Sequence, residues 1–188
     1  MTSSDVRTNM VKSAVALLAT KGVEGTSFAE VLASSGAPRG SIYHHFPGGK
    51  SELLHAALDL VSTRGLDGME ATRGRPPVEV VETFLALWRH LLDATHLRAG
   101  CGVLAVTVAD GEVELIEHAG AIFREWTSQL AELFVAGGIS QLVGRTLATT
   151  VIAATEGAVV LCRAEQRREP FDLVAEVLVR MVEDAPTS

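Results

Sequence analysis

The chain has 188 residues, of which 16 are Lys or Arg and 23 are Asp or Glu, so its formal net charge is −7. The length suits one small domain joined to a second, ligand-binding domain. Two cysteines, Cys101 and Cys162, are too few for a disulfide framework or a thiolate metal site. The N-terminus lacks the basic and apolar regions of a secretory signal, and the longest apolar stretch contains Arg145 and Glu156, which argues against a membrane span. We therefore expect a cytoplasmic protein.

Two helices are predicted before residue 36. The first runs from Asp5 to Lys21, because apolar residues recur there at helical spacing and Gly22 follows as a C-cap. The second begins after Ser27 and continues to about Ser35. Ser27 as N-cap with Glu30 at the third helical position is the pattern of a capping box.

A third, short helix is predicted from Pro38 to Phe46, because proline suits the first turn of a helix. Ile42 and Phe46 share one face, which we expect to be buried. Gly40, Ser41, Tyr43 and His44 point the other way, with Arg39 at the margin. That outer face combines a guanidinium, two hydroxyls and an imidazole, which are groups that read base edges or bind phosphate. Helix, glycine turn and short helix is the order of a helix-turn-helix motif, whose last helix reads DNA.

Alternative interpretations of single residues remain open. His45 flanks the buried face and suits a structural hydrogen bond better than base reading. For Tyr43, the alternative is a buried ring that offers only its hydroxyl to a phosphate. The whole helix also has an alternative, as an ordinary surface helix of an all-α enzyme.

The rest of the chain also reads as helical, so the predicted fold is all-α with about nine helices. Residues 103–109 are rich in β-branched side chains and by themselves are as typical of a strand as of a helix. The five helices predicted for this region by apolar spacing are Lys50–Thr72, Val78–Thr95, Glu112–Gly137, Ser140–Arg167 and Pro170–Asp184.

The first 55 residues resemble the N-terminal domain of TetR-type repressors. The signature that carries the resemblance consists of Gly40, Ile42, Tyr43, His45, Phe46 and Lys50. Gly22, Thr26, Phe28 and the triplet Val31-Leu32-Ala33 match the preceding part of the family pattern. The Pro47–Lys50 linker and the Ala99–Gly102 segment resemble the LmrA/YxaF-like subgroup, although that subgroup usually has proline where Gly102 stands.

The resemblance implies a helix-turn-helix DNA-binding domain over residues 1–55 and a helical effector-binding and dimerisation domain over residues 56–188. It makes the segment 103–109 a short helix. It implies a regulator, most often a repressor, that binds a palindromic operator as a homodimer and is released by a small hydrophobic effector. The expected DNA-binding residues are Thr26, Ser27, Pro38, Arg39, Gly40, Ser41, Tyr43, His44 and Lys50. At Lys50, the ammonium and the free amides of a helix start are expected to meet a phosphate together. The alternative is a DNA-binding protein of the same fold without an effector.

The resemblance also assigns the last two helices to a four-helix dimer interface. The predicted helix 140–167 is apolar around most of its circumference and therefore needs cover on nearly every side. The effector is expected between helices of the body, although a place in the core without any ligand contact is the simpler interpretation of each single candidate. The candidates are Phe84, Trp88, Leu91, Cys101, Leu104, Phe123, Trp126 and Thr150, with His118 as a polar anchor.

Charge is divided unevenly between the two predicted domains. Residues 1–55 hold five basic and four acidic residues, a net charge of +1, whereas the remainder holds 11 basic and 19 acidic residues, a net charge of −8. The acidic body should face away from DNA. No catalytic motif occurs, so we predict no enzyme activity and no cofactor. A metal site that includes His90, His96 or His118 lacks any supporting ligand spacing, and we predict none.

Overall fold

The computed structural model describes residues 3–186, in which nine α-helices and no β-strand are formed. Their bounds are α1 Ser3–Lys21, α2 Phe28–Ser35, α3 Ser41–His45, α4 Gly49–Glu70, α5 Pro77–Ala94, α6 Gly102–Thr107, α7 Val113–Ala136, α8 Gln141–Glu165 and α9 Glu169–Glu183. The predicted all-α class is confirmed. The β-branched segment after residue 102 is helical, as the family resemblance implied.

Helix α3 is shorter than predicted. The prediction began it at Pro38, but residues 38–40 form a turn in which the Ser41 amide donates to the Pro38 carbonyl at 3.0 Å. The helix then occupies only Ser41–His45, and Phe46 is its C-cap. Proline thus sets the turn that precedes the helix.

The chain folds into two compact units. The first unit extends through Thr63 and includes Cys101–Ile122; the second comprises Arg64–Gly100 and the chain from Phe123 onward. The predicted boundary after residue 55 separates a DNA-binding domain from an effector-binding domain. The two compact units do not test that functional division, so it stays a prediction.

The core of the first unit holds the short helix α3 in place. Helix α1 packs against α2, α3 and α6. Ile42 and Phe46 are fully buried in the same core as Met10 and Leu53. The predicted inward face of α3 is therefore confirmed.

Helix α2 is capped at both ends, and its N-cap is the one that the sequence predicts. The Ser27 hydroxyl oxygen accepts a hydrogen bond from the Glu30 amide at 3.2 Å. Gly36 adopts the left-handed conformation at φ 66°, and its amide donates to the Leu32 carbonyl. The reciprocal half of the predicted capping box is wrong, because the Glu30 carboxylate instead binds the Lys21 ammonium.

In the second unit, α9 packs against α8 and α5. Arg168 ties the start of α9 to α5, because its guanidinium lies 3.0 Å from Asp93 and 3.0 Å from Asp172. Hydrogen bonds to Asp172 and then to Asp93 raise the pKa of Arg168. These groups are exposed, so the contacts orient the helices more than they stabilise the fold.

Helix α8 is long and apolar enough to cross a membrane by length and composition alone. Half of the most apolar stretch of α8 is buried inside the protein, which is typical of a core helix. Its buried residues include Ala148, Val151 and Val159.

Two glycines inside α4 provide a matched test of helix packing. A Cβ at Gly65 would lie 2.9 Å from Nε1 of Trp126, whose side chain is only 6% exposed and has no room to move. A Cβ at Gly68 would lie 3.1 Å from Cδ1 of Leu87, the far end of a flexible and half-exposed side chain.

We expect Gly65→Ala to lower the free energy of unfolding by about 1 to 3 kcal/mol, because the clash outweighs the gain in helix propensity. Gly68→Ala should be neutral or stabilise by up to about 1 kcal/mol. Urea unfolding of both variants measures the difference. Equal effects of the two changes would contradict the packing of Trp126 on Gly65.

Candidate nucleic-acid interface

The helix-turn-helix is built from α2, the turn at Gly36 and α3. The left-handed backbone of Gly36 ends α2 and redirects the chain. Burial of Ile42 and Phe46 then fixes the rotation of α3 about its own axis. As a result, Arg39, Gly40 and His44 lie exposed on the side away from the core.

Tyr43 projects from α3 into solvent. Its side chain is 69% exposed, and its ring packs edge-to-face on Phe28 at 5.5 Å between centroids. The alternative in which Tyr43 buries its ring is therefore wrong, and Phe28 orients the ring from one side only. His44 is exposed and contacts the half-buried ring of His45 at 5.3 Å between centroids. The structural hydrogen bond of His45 stays a prediction.

The two serines predicted to contact DNA, Ser27 and Ser41, differ in whether their hydroxyl hydrogen is free to donate to a ligand. Ser27 uses an oxygen lone pair for the α2 cap, so its hydroxyl hydrogen can still donate. The Ser41 hydroxyl donates to the Pro38 carbonyl at 2.6 Å, which closes the turn before α3. Pro38 itself is exposed at that turn.

Thr26 contradicts its predicted role as a DNA contact. It is fully buried, its hydroxyl donates to the Gly22 carbonyl at 2.8 Å, and its amide donates to the Val23 carbonyl. Thr26 therefore fixes the turn between α1 and α2 and presents no atom to DNA.

Lys50 is partly engaged within the protein. Its ammonium donates to the Val23 carbonyl at 2.7 Å, which fastens the start of α4 to the α1–α2 turn. The Gly48 amide, just before α4, donates to the Glu52 carboxylate at 2.8 Å. The sequence predicts that free amides at this helix start bind a phosphate together with Lys50. This prediction is wrong for the Gly48 amide, which is already hydrogen-bonded. Two N–H groups of the ammonium remain for a phosphate.

A polar cluster that was not predicted from the sequence lies between α4 and α7 in the first unit. His118, predicted as an effector anchor, has its Nδ1 at 2.7 Å from Nδ1 of His55 and its Nε2 at 3.1 Å from Asp59. Ser51 donates to Glu112 at 2.5 Å nearby. The signal was present, since residues 51, 55 and 59 recur every four residues on one face of α4.

The nine candidate effector residues are divided between the two units. Cys101, Leu104 and His118 belong to the first unit, and the Cys101 sulfur caps α6 by accepting from the Leu104 amide. The other six belong to the second unit; they are Phe84, Trp88, Leu91, Phe123, Trp126 and Thr150.

Within the second unit the six candidates have different surroundings. Phe84 and Trp126 are buried, and Trp126 meets Phe123 edge-to-face at 5.8 Å. Trp88 and Leu91 are half-buried, and the Thr150 hydroxyl is bound to the Thr146 carbonyl. Phe123 lines a groove of about 1060 Å³ whose other lining residues lie outside the predicted set. In the chain from residue 3 to 186, no three His, Cys, Asp or Glu side chains are grouped as a metal site would require.

A short helix that exposes Tyr43 and His44 after a glycine turn, with Arg39 exposed just before it, in an all-α chain, defines a helix-turn-helix transcriptional regulator. Residues 11–57 match the family model of bacterial regulatory proteins of the tetR family. Residues 77–177 match the C-terminal domain of LmrA/YxaF-like transcriptional regulators.

Full-length relatives and solved structures agree with these matches. The chain is 35% identical over 175 residues to the HTH-type transcriptional regulator Rv0196 of Mycobacterium tuberculosis, covering 89% of each chain. It is 29% identical to the regulator LmrA of Bacillus subtilis, covering 91% of this chain and 93% of that protein. A TetR-family regulator from Agrobacterium tumefaciens has the same fold, with a TM-score of 0.82 over the whole of both chains at 20% identity. The chain belongs to the TetR family of transcriptional regulators, in its LmrA/YxaF-like branch.

Replacing Thr26 with valine keeps the shape of the side chain but removes the hydroxyl. We expect the free energy of unfolding to fall by about 1 to 2 kcal/mol, because the Gly22 carbonyl loses a buried hydrogen bond. The folded variant should bind DNA as the parent does. Thermal unfolding and gel shifts measure the two effects; weaker DNA binding at unchanged stability would restore Thr26 as a contact.

Proposed function

We propose that this protein is a ligand-responsive repressor that binds a palindromic operator as a homodimer and is released by a small hydrophobic effector. The observation that carries the proposal is the exposed outer face of α3, held rigid by its buried inner face. The fold and the family are those of transcriptional regulators and not of enzymes. A repressor of this kind acts in the cytoplasm, on chromosomal DNA.

Each proposed contact group on or near the outer face of α3 suits a particular part of DNA. The Arg39 guanidinium can read guanine or bind phosphate, and Gly40 lets the backbone come close to the duplex. The Tyr43 and Ser27 hydroxyls and the Lys50 ammonium can bind phosphates, while the imidazole of His44 can meet a base edge or a phosphate. Pro38 and Ser41 position this set by forming the turn before α3.

Weak charge in the DNA-binding region makes two copies necessary. A net charge of +1 over the first 55 residues supplies little of the electrostatic attraction on which DNA affinity usually rests. Two copies joined in a dimer multiply the few placed contacts. A two-fold dimer then calls for an operator with two-fold sequence symmetry.

The dimer is proposed to form through α8 and α9, which carry exposed apolar side chains in the second unit. On α8 a stripe of small, β-branched and apolar residues with spacings of three and four remains open to solvent; it comprises Leu142, Thr146, Thr149, Ala153, Gly157 and Val160. On α9, Leu173, Val177 and Met181 are 59%, 49% and 40% exposed. Apolar stripes of this size on neighbouring helices are typical of an interface.

Release from DNA is proposed to follow from a change in the separation of the two DNA-binding regions. Operator half-sites have fixed spacing, so a small shift of α4 in each subunit lowers affinity. The proposed lining is the part of the predicted set that lies in the second unit: Phe84, Trp88, Leu91, Phe123, Trp126 and Thr150. Such coupling requires that the effector binds one conformation better than the other.

An alternative is a regulator of the same fold without a small-molecule effector. Two observations favour it: Trp126 is packed against Gly65, and His118 is already bound to His55 and Asp59. A gel shift with the DNA that flanks its own gene, with and without a panel of planar hydrophobic compounds, separates the two. A shift that no compound releases supports the alternative, and the lack of any shift contradicts both.

Arg39→Ala tests the proposed contact face. We expect a loss of about 1 to 3 kcal/mol in operator binding, confined to one base position if Arg39 reads guanine and spread over all sequences if it binds phosphate. Arg75→Ala, which removes an exposed arginine after α4, is the control and should change affinity little. Quantitative gel shifts at fixed salt measure both, and unchanged affinity of the Arg39 variant would refute its role.

Val177→Glu tests the proposed dimer interface. A carboxylate there would have to be buried between subunits, so we expect dimer dissociation to increase by about tenfold or more. Val113→Glu, at a 65% exposed position on α7, introduces the same charge elsewhere. Sedimentation at micromolar concentration compares the variants. A monomeric parent protein would refute the dimer outright.

A further inference from the structure

A groove in the second unit has a charge that the effector proposal does not explain. It lies between α7 and α8 and contains Arg73, Arg124 and Arg145 among its lining residues, with Glu132 as the acidic one. The α7 residues along it span positions 123–136, a length of about 20 Å on an α-helix. Its volume of about 1060 Å³ is just above the usual range for small-molecule sites.

The two helices that line the groove approach each other closely at Gly144. A Cβ at Gly144 of α8 would lie 3.1 Å from Cγ2 of Val135 and 3.4 Å from the Ala131 carbonyl oxygen. Because glycine leaves no side chain there, α8 rests directly on α7. The longer side chains of the neighbouring turns then form the walls.

One of the three arginines is already neutralised. Arg73 donates to Glu70, with Nη2 and Oε2 2.8 Å apart, and Gln129 donates to the same carboxylate at 2.9 Å. These hydrogen bonds, from Arg73 first and then Gln129, lower the pKa of Glu70 to about 2. Glu70 is therefore ionised at neutral pH and balances the charge of Arg73.

Arg124 and Arg145 keep their charge. Neither forms an ion pair with any residue between 3 and 186, although acidic residues outnumber basic ones in this chain. Two exposed guanidiniums that face one groove, from two different helices, offer planar donors suited to a carboxylate.

The same groove has an apolar side on α7. The half-buried ring of Phe123 lies at one end of it, and Val135, 40% exposed, lies towards the other. A ligand that fits both features carries a negative head group and an apolar body.

We propose that this groove binds an amphipathic carboxylate, with Arg124 and Arg145 holding the head group and the α7 face covering the apolar body. The site goes beyond the proposed hydrophobic effector pocket, with which it shares only Phe123. Its occupancy does not require DNA binding.

Calorimetric titration of the full-length protein at neutral pH tests the site with two carboxylates, octanoate and naphthoate, and with octanol as the neutral comparison. We expect at least one carboxylate to bind and octanol to bind about tenfold more weakly or not at all. An alkyl ligand is indicated if octanoate binds better, and an aromatic ligand if naphthoate does. Both results support the proposal.

The variant R124Q/R145Q should lose about tenfold in carboxylate affinity. R75Q/R98Q removes the same charge from the second unit outside the groove and should change affinity less than twofold. Thermal unfolding verifies that both variants are folded. No carboxylate binding by the parent protein up to millimolar concentration, equal binding of octanol, or unchanged affinity of R124Q/R145Q would each overturn the proposal.

Two further readings separate this site from the other proposals. If R124Q/R145Q dissociates the dimer but still binds carboxylate, the arginines belong to a subunit interface and the groove proposal is refuted. A protein that shifts operator DNA but binds no carboxylate refutes the groove alone. One that binds carboxylate but no DNA refutes the proposed function alone.

Discussion

The structure depends on the burial of two side chains from a helix too short to exist by itself. Helix α3 has five residues, far below the length at which an isolated helix is stable in water. Ile42 and Phe46 attach it to the core of α1, α2 and α4, and that attachment decides which of its residues face outward. The outward position of Tyr43 and His44 is therefore a consequence of core packing.

Around this attachment, several polar contacts fix the turns on either side. Thr26 closes the turn after α1, Ser27 and Gly36 cap α2, and Lys50 ties the start of α4 to the Val23 carbonyl. Some of these residues belong to the family signature, which one would first interpret as a DNA-contact pattern. In this protein Thr26 serves the shape of the DNA-binding region, and Lys50 does so with at least one of its donors.

Local features of the fold could be predicted from the sequence, because their causes are local. The cap at Ser27, the turn at Gly36, the inward face of α3 and the order of the helices each depend on residues within one or two helical turns. The predictions that were wrong concern side chains whose actual partner is distant in sequence or differs from the partner expected within the same helix. Glu30 binds Lys21, Lys50 binds Val23, and His118 meets His55, which is 63 residues away. Effector-binding residues are harder still to predict from the sequence, since the spacing of apolar residues on a helix is the same for a packed core as for a ligand pocket.

The contact between Lys50 and Val23 has a consequence for the entropy of recognition. It joins the start of α4, just after the helix-turn-helix, to the turn just before α2. The two ends of the helix-turn-helix are therefore held together by a contact within the protein. The contact surface is ordered before DNA arrives, and binding then loses little backbone freedom. A surface of low charge gains most from such preorganisation, because each of its few contacts keeps nearly its full contribution to affinity.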